Sequence, residues 1–179
     1  MTAEELLRAH ITDKRAELVQ GTLVVREPGG YTHGIVTSRL IARLNAYLEQ
    51  NPVGQLLTAK TGFTLSRSPD TVRAPDIAFF KSARVPDPPP TGFPELAPDL
   101  VVDVLVPNER PKEILIKITD WLRAGTDIVW VFEPQRSVAR IYRREGTEEL
   151  IAQDGAITGE EMLPGFSCLL RDIFPPEQR

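Results

Sequence analysis

The sequence predicts a mixed α/β or α+β fold in which a central sheet is flanked by helices. Apolar residues recur at helical spacing in two segments, from about Gly34 to Gln50 and over Pro111–Ala124. Between them, the apolar run 100–107 (LVVDVLVP) has the pattern of a central strand that is covered on both faces. The order of helix, strands, helix and further strands predicts one domain over residues 1–179.

Length, charge and cysteine content restrict the class of protein. A chain of 179 residues can bury its own core, and no run approaches the ~18 apolar residues of a membrane span. The net charge of −4 argues against a protein that coats nucleic acid, because such binding needs a positive field, but a nuclease with an acidic metal site remains compatible. The acidic N-terminus does not match a secretory signal, and Cys168 has no disulfide partner, so we expect a cytoplasmic protein.

The first half of the chain contains a predicted helix, a hairpin and two strands. Thr2 and Glu5 have the spacing of a capping box at the start of a short helix. Two strand-like runs flank the dipeptide Gln20-Gly21, and a loop follows over 26–33. Segments 55–65 and 72–80 are interpreted as two strands joined by a polar turn.

The second half is predicted to be a long loop, a helix and several strands. The proline-rich segment 85–99 should be extended and exposed, and long loops of this kind often carry function. In the helix 111–124, we expect the buried stripe to contain Ile114, Leu115, Ile118, Trp121 and Leu122, and Gly125 to end the helix. Strands are predicted in 127–134, 138–144 and 148–153, and a turn with a short helix closes the chain in 163–174.

Two acidic residues in apolar strands are the strongest chemical signal. Asp103 lies inside the run 100–107, and Asp76 begins the run 76–80. A buried carboxylate needs a cation or hydrogen bonds, so an ion pair or a hydrogen bond to a backbone amide is the alternative for Asp103. A turn aspartate is the alternative for Asp76. Two such acids at one edge of a sheet would instead form an oxygen site for Mg²⁺ or Mn²⁺, the ions that assist phosphodiester hydrolysis. Asp99 is too far along the strand from Asp103 to share an ion, and we expect it to bond local backbone.

Lys117 is the candidate basic residue of this site. At about 100° per residue, it lies on the flank of the apolar stripe, from where its ammonium can reach the edge of the sheet. There it would stabilise charge or orient water, although a solvated lysine is the alternative. Lys112, near the start of the helix, is the weaker candidate.

The blocks RAELVQGTLVV, YTHG, APDIAFF, PELAPDLVVDVLVPN, KITDWLRAGTDIVWVFEP and LPGF together resemble the Uma-two family of the PD-(D/E)XK nuclease superfamily. The resemblance implies a restriction-endonuclease-like fold and a Mg²⁺-dependent (or Mn²⁺-dependent) DNA endonuclease. It implies that Asp76 and Asp103 are metal-binding acids, that the carbonyl of Val104 faces the ion and that Lys117 is catalytic.

The resemblance also implies roles for two residues in the first fifth of the chain. Glu17 would complete the metal shell, with a surface glutamate on a hairpin as the alternative. His33 would lie near the site as a proton carrier or phosphate contact, with a loop histidine as the alternative. The chain departs from the family in having Asp rather than Glu at position 103 and in the turn Val106–Asn108, which makes a nuclease fold retained as a binding or assembly module a competing function. Hydrolysis of another phosphodiester is a third reading.

The sequence gives only weak indications of DNA contacts and of oligomeric state. The segment 136–145 contains Arg136, Arg140, Arg143 and Arg144 with Tyr142 between them, and strand alternation places Arg140 and Tyr142 on one face. Such a stripe could touch phosphate, with Arg140 and Arg143 as the candidate contacts, although it is more often a solvated strand face. An enzyme that cuts both strands would be expected to form a homodimer.

Overall fold

A computed structural model describes residues 1–9, 11, 15–59 and 61–176. Within these ranges the helices are α1 Ala3–Arg8, α2 Tyr31–Gln50, α3 Pro111–Ala124 and α4 Leu170–Ile173. The strands are β1 Arg15–Val19, β2 Thr22–Arg26, β3 Gly54–Thr58, β4 Phe63–Ser66, β5 Thr71–Arg73, β6 Ile77–Lys81, β7 Leu100–Val104, β8 Ile128–Glu133, β9 Val138–Arg143, β10 Glu148–Ile151, β11 Ala156–Thr158 and β12 Ser167–Leu169.

A mixed sheet of six strands forms the centre of the fold, in the order β10-β9-β8-β7-β6-β3. β7 and β8 run parallel and the other neighbours run antiparallel. A parallel pair requires a crossover connection, and α3 provides it. The predicted central position of the run 100–107 is confirmed, because β7 has neighbours on both sides.

Helices α2 and α3 cover opposite faces of this sheet. On one face, Leu40 of α2 packs with residues such as Phe79 and Val102. On the other face, Trp121 of α3 packs with Phe80 and Val101. Since side chains alternate along a strand, Asp103 must share the α3 face with Val101. The expected mixed α/β (α+β) fold with a helix-flanked sheet is therefore confirmed.

A smaller sheet of four strands, in the order β2-β1-β5-β4, adjoins the central sheet. The predicted hairpin around Gln20-Gly21 is confirmed as β1 and β2, with Arg15 opposite Arg26 at its open end. The capping box of α1 is also confirmed, because Thr2 and Glu5 exchange their side-chain and backbone hydrogen bonds. Strands β11 and β12 form a separate two-stranded sheet.

Two predicted strands are wrong because each divides between the two larger sheets. Segment 55–65 contains β3, which pairs with β6, and β4, which pairs with β5; Lys60 between them lies outside the described residues. Segment 72–80 likewise changes sheet between β5 and β6. Pro75 has no N–H for a ladder hydrogen bond, so a continuous strand is interrupted there.

Three helical details also differ from expectation. Helix α2 begins at Tyr31, so Tyr31–His33 are not loop residues; Gly30 caps this turn, whose polar side chains hide it from apolar periodicity. Leu115 is 54% exposed and does not belong to the buried stripe of α3. The closing segment 163–174 contains strand β12 before the short helix α4.

The predicted bounds of α3 and its stop at Gly125 are confirmed, and Gly125 has a left-handed φ of 109°. The long loop 85–99 is largely exposed up to Leu96. None of the described helices is long and apolar enough to cross a membrane.

Candidate active site

Asp76 and Asp103 meet where β6 and β7 lie side by side. Ile77 pairs with Val102 in the antiparallel register, so continuing one residue outward brings Asp76 opposite Asp103. The backbone N–H of Asp76 extends this pairing by donating to the carbonyl of Val102 at 3.1 Å. Both carboxylates are buried, with exposed fractions of 1% and 8%. The two sequence-predicted acids thus share one site on the α3 face of the sheet.

Asp76 is held by hydrogen bonds from two elements. Its Oδ1 accepts from Arg15 Nη1 at 2.9 Å, and its Oδ2 accepts from the backbone N–H of Val104 at 2.8 Å. His33 Nε2 lies 3.2 Å from Oδ1, without the alignment of a hydrogen bond. These contacts fix the carboxylate in one orientation at the edge of the cleft.

Lys117 reaches the site from the first half of α3. Its Nζ donates to Asp103 Oδ1 at 2.7 Å and lies 3.6 Å from Glu17 Oε1. Its alkyl stem therefore runs along the face of the helix toward the sheet, as the helical geometry predicts. The alternative of a solvated lysine is excluded, because this side chain is 13% exposed.

Glu17 belongs to a buried network that supports Lys117. Its Oε1 accepts from the N–H of Ala74 and its Oε2 from Arg73 Nη1, both at 3.0 Å. Arg73, itself 2% exposed, also donates to Asp120 of α3 at 2.6 and 2.9 Å. The network joins β1, β5 and α3, and it excludes the alternative of a surface glutamate.

The pKa values show which acids the site keeps ionised. Burial is the largest influence on the pKa of Glu17 and would raise it, but Lys117 and Arg73 outweigh burial and lower the pKa to about 2. For Asp76, burial is again the largest influence, yet the His33 imidazole and Arg15 lower its pKa to about 2.

Asp103 has the opposite shift. Burial raises its pKa above the ordinary value and the charge of Asp76 adds to this, while Lys117 opposes it. Burial would lower the pKa of Lys117, but Asp103 and Glu17 raise it by more. Lys117 therefore keeps its proton, and Asp103 is the acid of the site that is easiest to protonate.

A cleft of about 600 Å³ opens beside these residues. Asp76, Asp103, Val104 and Lys117 all line it. Gly29 and Gly30, which immediately precede α2, form another part of its wall. The acids thus form part of the wall of a space of the size of small-molecule sites.

Among the residues described, no group of three or more Asp, Glu, His or Cys side chains has the arrangement of a metal site. Asp76 and Asp103 supply two carboxylates, the hard oxygen ligands that Mg²⁺ and Mn²⁺ prefer. Mg²⁺ is commonly held by one or two carboxylates together with water and phosphate oxygens, so this pair fits such an ion. Both carboxylate oxygens of Glu17 face Arg73, Ala74 and Lys117. These contacts suit a role in positioning Lys117 better than a role as a metal ligand.

The other sequence-predicted residues are placed differently. Arg140 and Arg143 do not line the cleft. Arg140 bonds Glu133 at 2.7 Å and Glu148 at 2.5 Å, and Arg143 bonds Glu149 and Glu160. The expectation that Asp99 bonds local backbone is wrong, because its carboxylate accepts from the distant N–H of Lys81 at 2.9 Å and from Arg84 at 2.7 Å.

Arg15 and Arg73 are contributors that sequence reasoning missed. Strand alternation could have placed Arg15 on the same face as Glu17, two residues along β1. Arg73 immediately precedes the chain segment that leads to Asp76, but no local pattern distinguishes a buried arginine from an exposed one. Both are identified by what they contact, which is long range in sequence.

The mixed sheet and its flanking helices define a restriction-endonuclease-like fold. A solved structure described as a "putative nuclease belonging to DUF820", from Anabaena variabilis, matches this chain with a TM-score of 0.84. The two are 20% identical, and the match covers 97% of each chain. No curated protein matches this chain. The chain belongs to the Uma2 (Uma-two) family, whose model is described as "Putative restriction endonuclease" and matches residues 3–171.

Proposed function

We propose that this protein is a divalent-metal-dependent endonuclease that hydrolyses phosphodiester bonds of DNA in the cleft beside β7. The observation that carries the proposal is the meeting of Asp76, Asp103 and Lys117 at one buried point of the cleft wall. Asp76 immediately precedes β6, Asp103 lies in β7 and Lys117 lies in α3. An arrangement of this kind, in a member of this family, suits phosphodiester hydrolysis better than structural support alone.

Asp76 and Asp103 would hold the ion, Mg²⁺ or Mn²⁺. When bound, such an ion polarises a phosphoryl oxygen and lowers the pKa of water. The chain's own residues prepare the site: Arg15 and the N–H of Val104 orient Asp76, and its lowered pKa keeps it ionised at neutral pH. His33, next to Oδ1, would contact phosphate or exchange a proton with solvent.

Lys117 would stabilise the negative charge that develops on the phosphate group during cleavage. Its ammonium keeps its proton because Asp103 and Glu17 face it, and Glu17 is in turn fixed by Arg73. Preorganised charge of this kind is commonly worth about 10²–10³ in rate for one donor. We therefore assign Lys117 as a catalytic residue and Glu17 as a residue that positions it.

The experiment is cleavage of supercoiled plasmid and single-stranded DNA at low salt with Mg²⁺ or Mn²⁺. We expect nicking or linearisation by the wild-type protein and its loss in Asp76→Asn and Lys117→Ala. Lys112→Ala is the matched control, because Lys112 is exposed on the same helix and does not line the cleft. A metal-dependent cut that persists in Asp76→Asn would contradict the proposal.

A second candidate function is a nuclease fold that binds a partner without cleavage. The observation that favours it is that each acid already faces a cation, Arg15 on Asp76 and Lys117 on Asp103. Metal binding without cleavage of either DNA, by a folded wild-type protein, would favour this candidate over the enzyme.

A further inference from the structure

The β1–β2 hairpin directs two arginines into the cleft. Arg15 and Arg26 are directly opposite each other across the two strands, and both line the cleft. Their side chains are 23% and 24% exposed. Like charges directly opposite each other on a sheet repel, so this pair requires anions close to both members.

Each terminal nitrogen of Arg15 makes a short hydrogen bond. Its Nη1 donates to Asp76 at 2.9 Å, and its Nη2 donates to the carbonyl of Ala74 at 2.9 Å. Both terminal nitrogens therefore act in holding the chain around Asp76.

Arg26 is held much more loosely than the other arginines of the site. Its Nη1 donates a long hydrogen bond of 3.4 Å to Glu109, its Nη2 lies 3.6 Å from Glu113 and its Nε lies 3.9 Å from Glu17. The buried Nε makes no hydrogen bond within the part of the chain that the structure describes.

Arg73 provides the internal comparison. It makes hydrogen bonds of 2.6 to 3.0 Å to Glu17 and Asp120, which is the geometry of an arginine that serves the fold. Arg26 has three acidic neighbours and an optimal bond to none of them. Its planar fork of donors is thus available for a bidentate acceptor of suitable shape.

The charge around the cleft suits a phosphate as that acceptor. Of the described residues, four basic and five acidic side chains line the cleft, so its charge is nearly balanced although the chain as a whole carries −4. Arginine and phosphate match in charge and in bidentate geometry.

We propose that Arg26 is a phosphate-binding residue of this cleft, which exchanges its long contacts with Glu109 and Glu113 for a phosphate of the nucleic-acid backbone. The proposal rests on the proposed function for the identity of the ligand. Arg15 stays on Asp76 while Arg26 turns to the phosphate, so the hairpin sets the distance between the bound backbone and the acids.

The test is fluorescence anisotropy of labelled single-stranded and duplex oligonucleotides, with EDTA and with Ca²⁺, as a function of salt. We expect Arg26→Gln to weaken binding by about 10- to 100-fold, the worth of a charge-assisted hydrogen bond. The slope of log affinity against log salt should fall by about one unit. The affinity of Arg26→Lys should lie between those of wild type and Arg26→Gln, because lysine keeps the positive charge but cannot make a bidentate hydrogen bond.

Arg43→Gln is the control, since Arg43 is an exposed arginine that lies 3.5 Å from Asp172 and does not line this cleft. We expect the affinity of this variant to stay within about twofold of the wild-type value, since exposed ion pairs contribute little. The proposal is overturned if wild type does not bind the oligonucleotides or if Arg26→Gln binds them as tightly as wild type. It is also overturned if Arg43→Gln loses as much affinity as Arg26→Gln. Circular dichroism and thermal melting exclude a loss of folding as the cause.

This result is separable from the plasmid assay. If wild type never cleaves but Arg26→Gln still loses binding, the phosphate contact stands and the enzyme proposal fails. If wild type cleaves and Arg26→Gln binds and cleaves equally well, the enzyme proposal stands and Arg26 is not a phosphate ligand.

Discussion

Lys117 and Asp103 lie 14 residues apart in the sequence and form an ion pair of 2.7 Å between α3 and β7. Because α3 begins soon after β7, the helix folds back over the strand that precedes it. The pair therefore connects the crossover helix α3 to β7, a central strand of the sheet. Both side chains are nearly buried, which makes the pair a determinant of stability as well as a part of the candidate site.

Removing the lysine should destabilise the protein through the acid left behind. We expect Lys117→Met to lower the free energy of unfolding by about 3–5 kcal/mol, because Asp103 would remain buried without its cation. Chemical denaturation at pH 7 measures this. The double variant with Asp103→Asn should recover part of the loss, and a single variant as stable as wild type would contradict the ion-pair interpretation.

The lowered pKa of Glu17 predicts a loss of stability in acid. Its folded pKa is about 2 against an ordinary value of 4.5, so between these values the unfolded chain binds more protons. The stabilisation is therefore present above about pH 5 and is lost as the pH falls toward 2, with a size of about 3 kcal/mol. Unfolding of wild type and Glu17→Gln should be compared from pH 2 to pH 7. The stability difference between them should shrink as the pH falls, and a constant difference would be inconsistent with this origin.

Two glycines should respond oppositely to alanine. A Cβ on Gly54 would lie 2.1 Å from the carbonyl oxygen of Phe80 and 2.4 Å from the ring of Phe79, so Gly54→Ala should displace β3 and cost more than about 2 kcal/mol. A Cβ on Gly34, in α2, meets nothing within 4 Å, and Gly34→Ala should stabilise by about 0.5–1 kcal/mol. Thermal unfolding of both variants checks the contrast. Equal shifts in the melting temperature would refute it.

The sequence predicted elements well where one local signal was sufficient. The bounds of α3 follow from apolar spacing and from Gly125, and the central position of β7 follows from its uninterrupted apolar residues. The prediction of single strands over 55–65 and 72–80 was wrong, because apolar runs do not reveal the point at which a chain leaves one sheet for another. The predicted burial of Leu115 was wrong, because an apolar residue at the edge of a helical stripe can remain exposed.

The sequence predicted the two acids and the lysine of the candidate site, but not the arginines that hold the acids in place. Strand-borne carboxylates in apolar runs are unusual enough to mark Asp76 and Asp103 from sequence. Arg15 and Arg73 reach their acids across 61 and 56 residues of chain, and no local spacing carries that information. The role of Glu17 depended on the same long-range contacts.

The most direct test of the central claim is calorimetric titration of the protein with Mn²⁺. We expect wild type to bind the ion and Asp76→Asn to bind it at least about tenfold more weakly. Asp99→Asn is the matched control, because Asp99 is an equally buried acid next to the opposite end of β7, paired with Arg84. If the folded Asp76→Asn variant binds Mn²⁺ as tightly as wild type, or if Asp99→Asn loses the ion equally, the assignment of a metal site to Asp76 and Asp103 is contradicted.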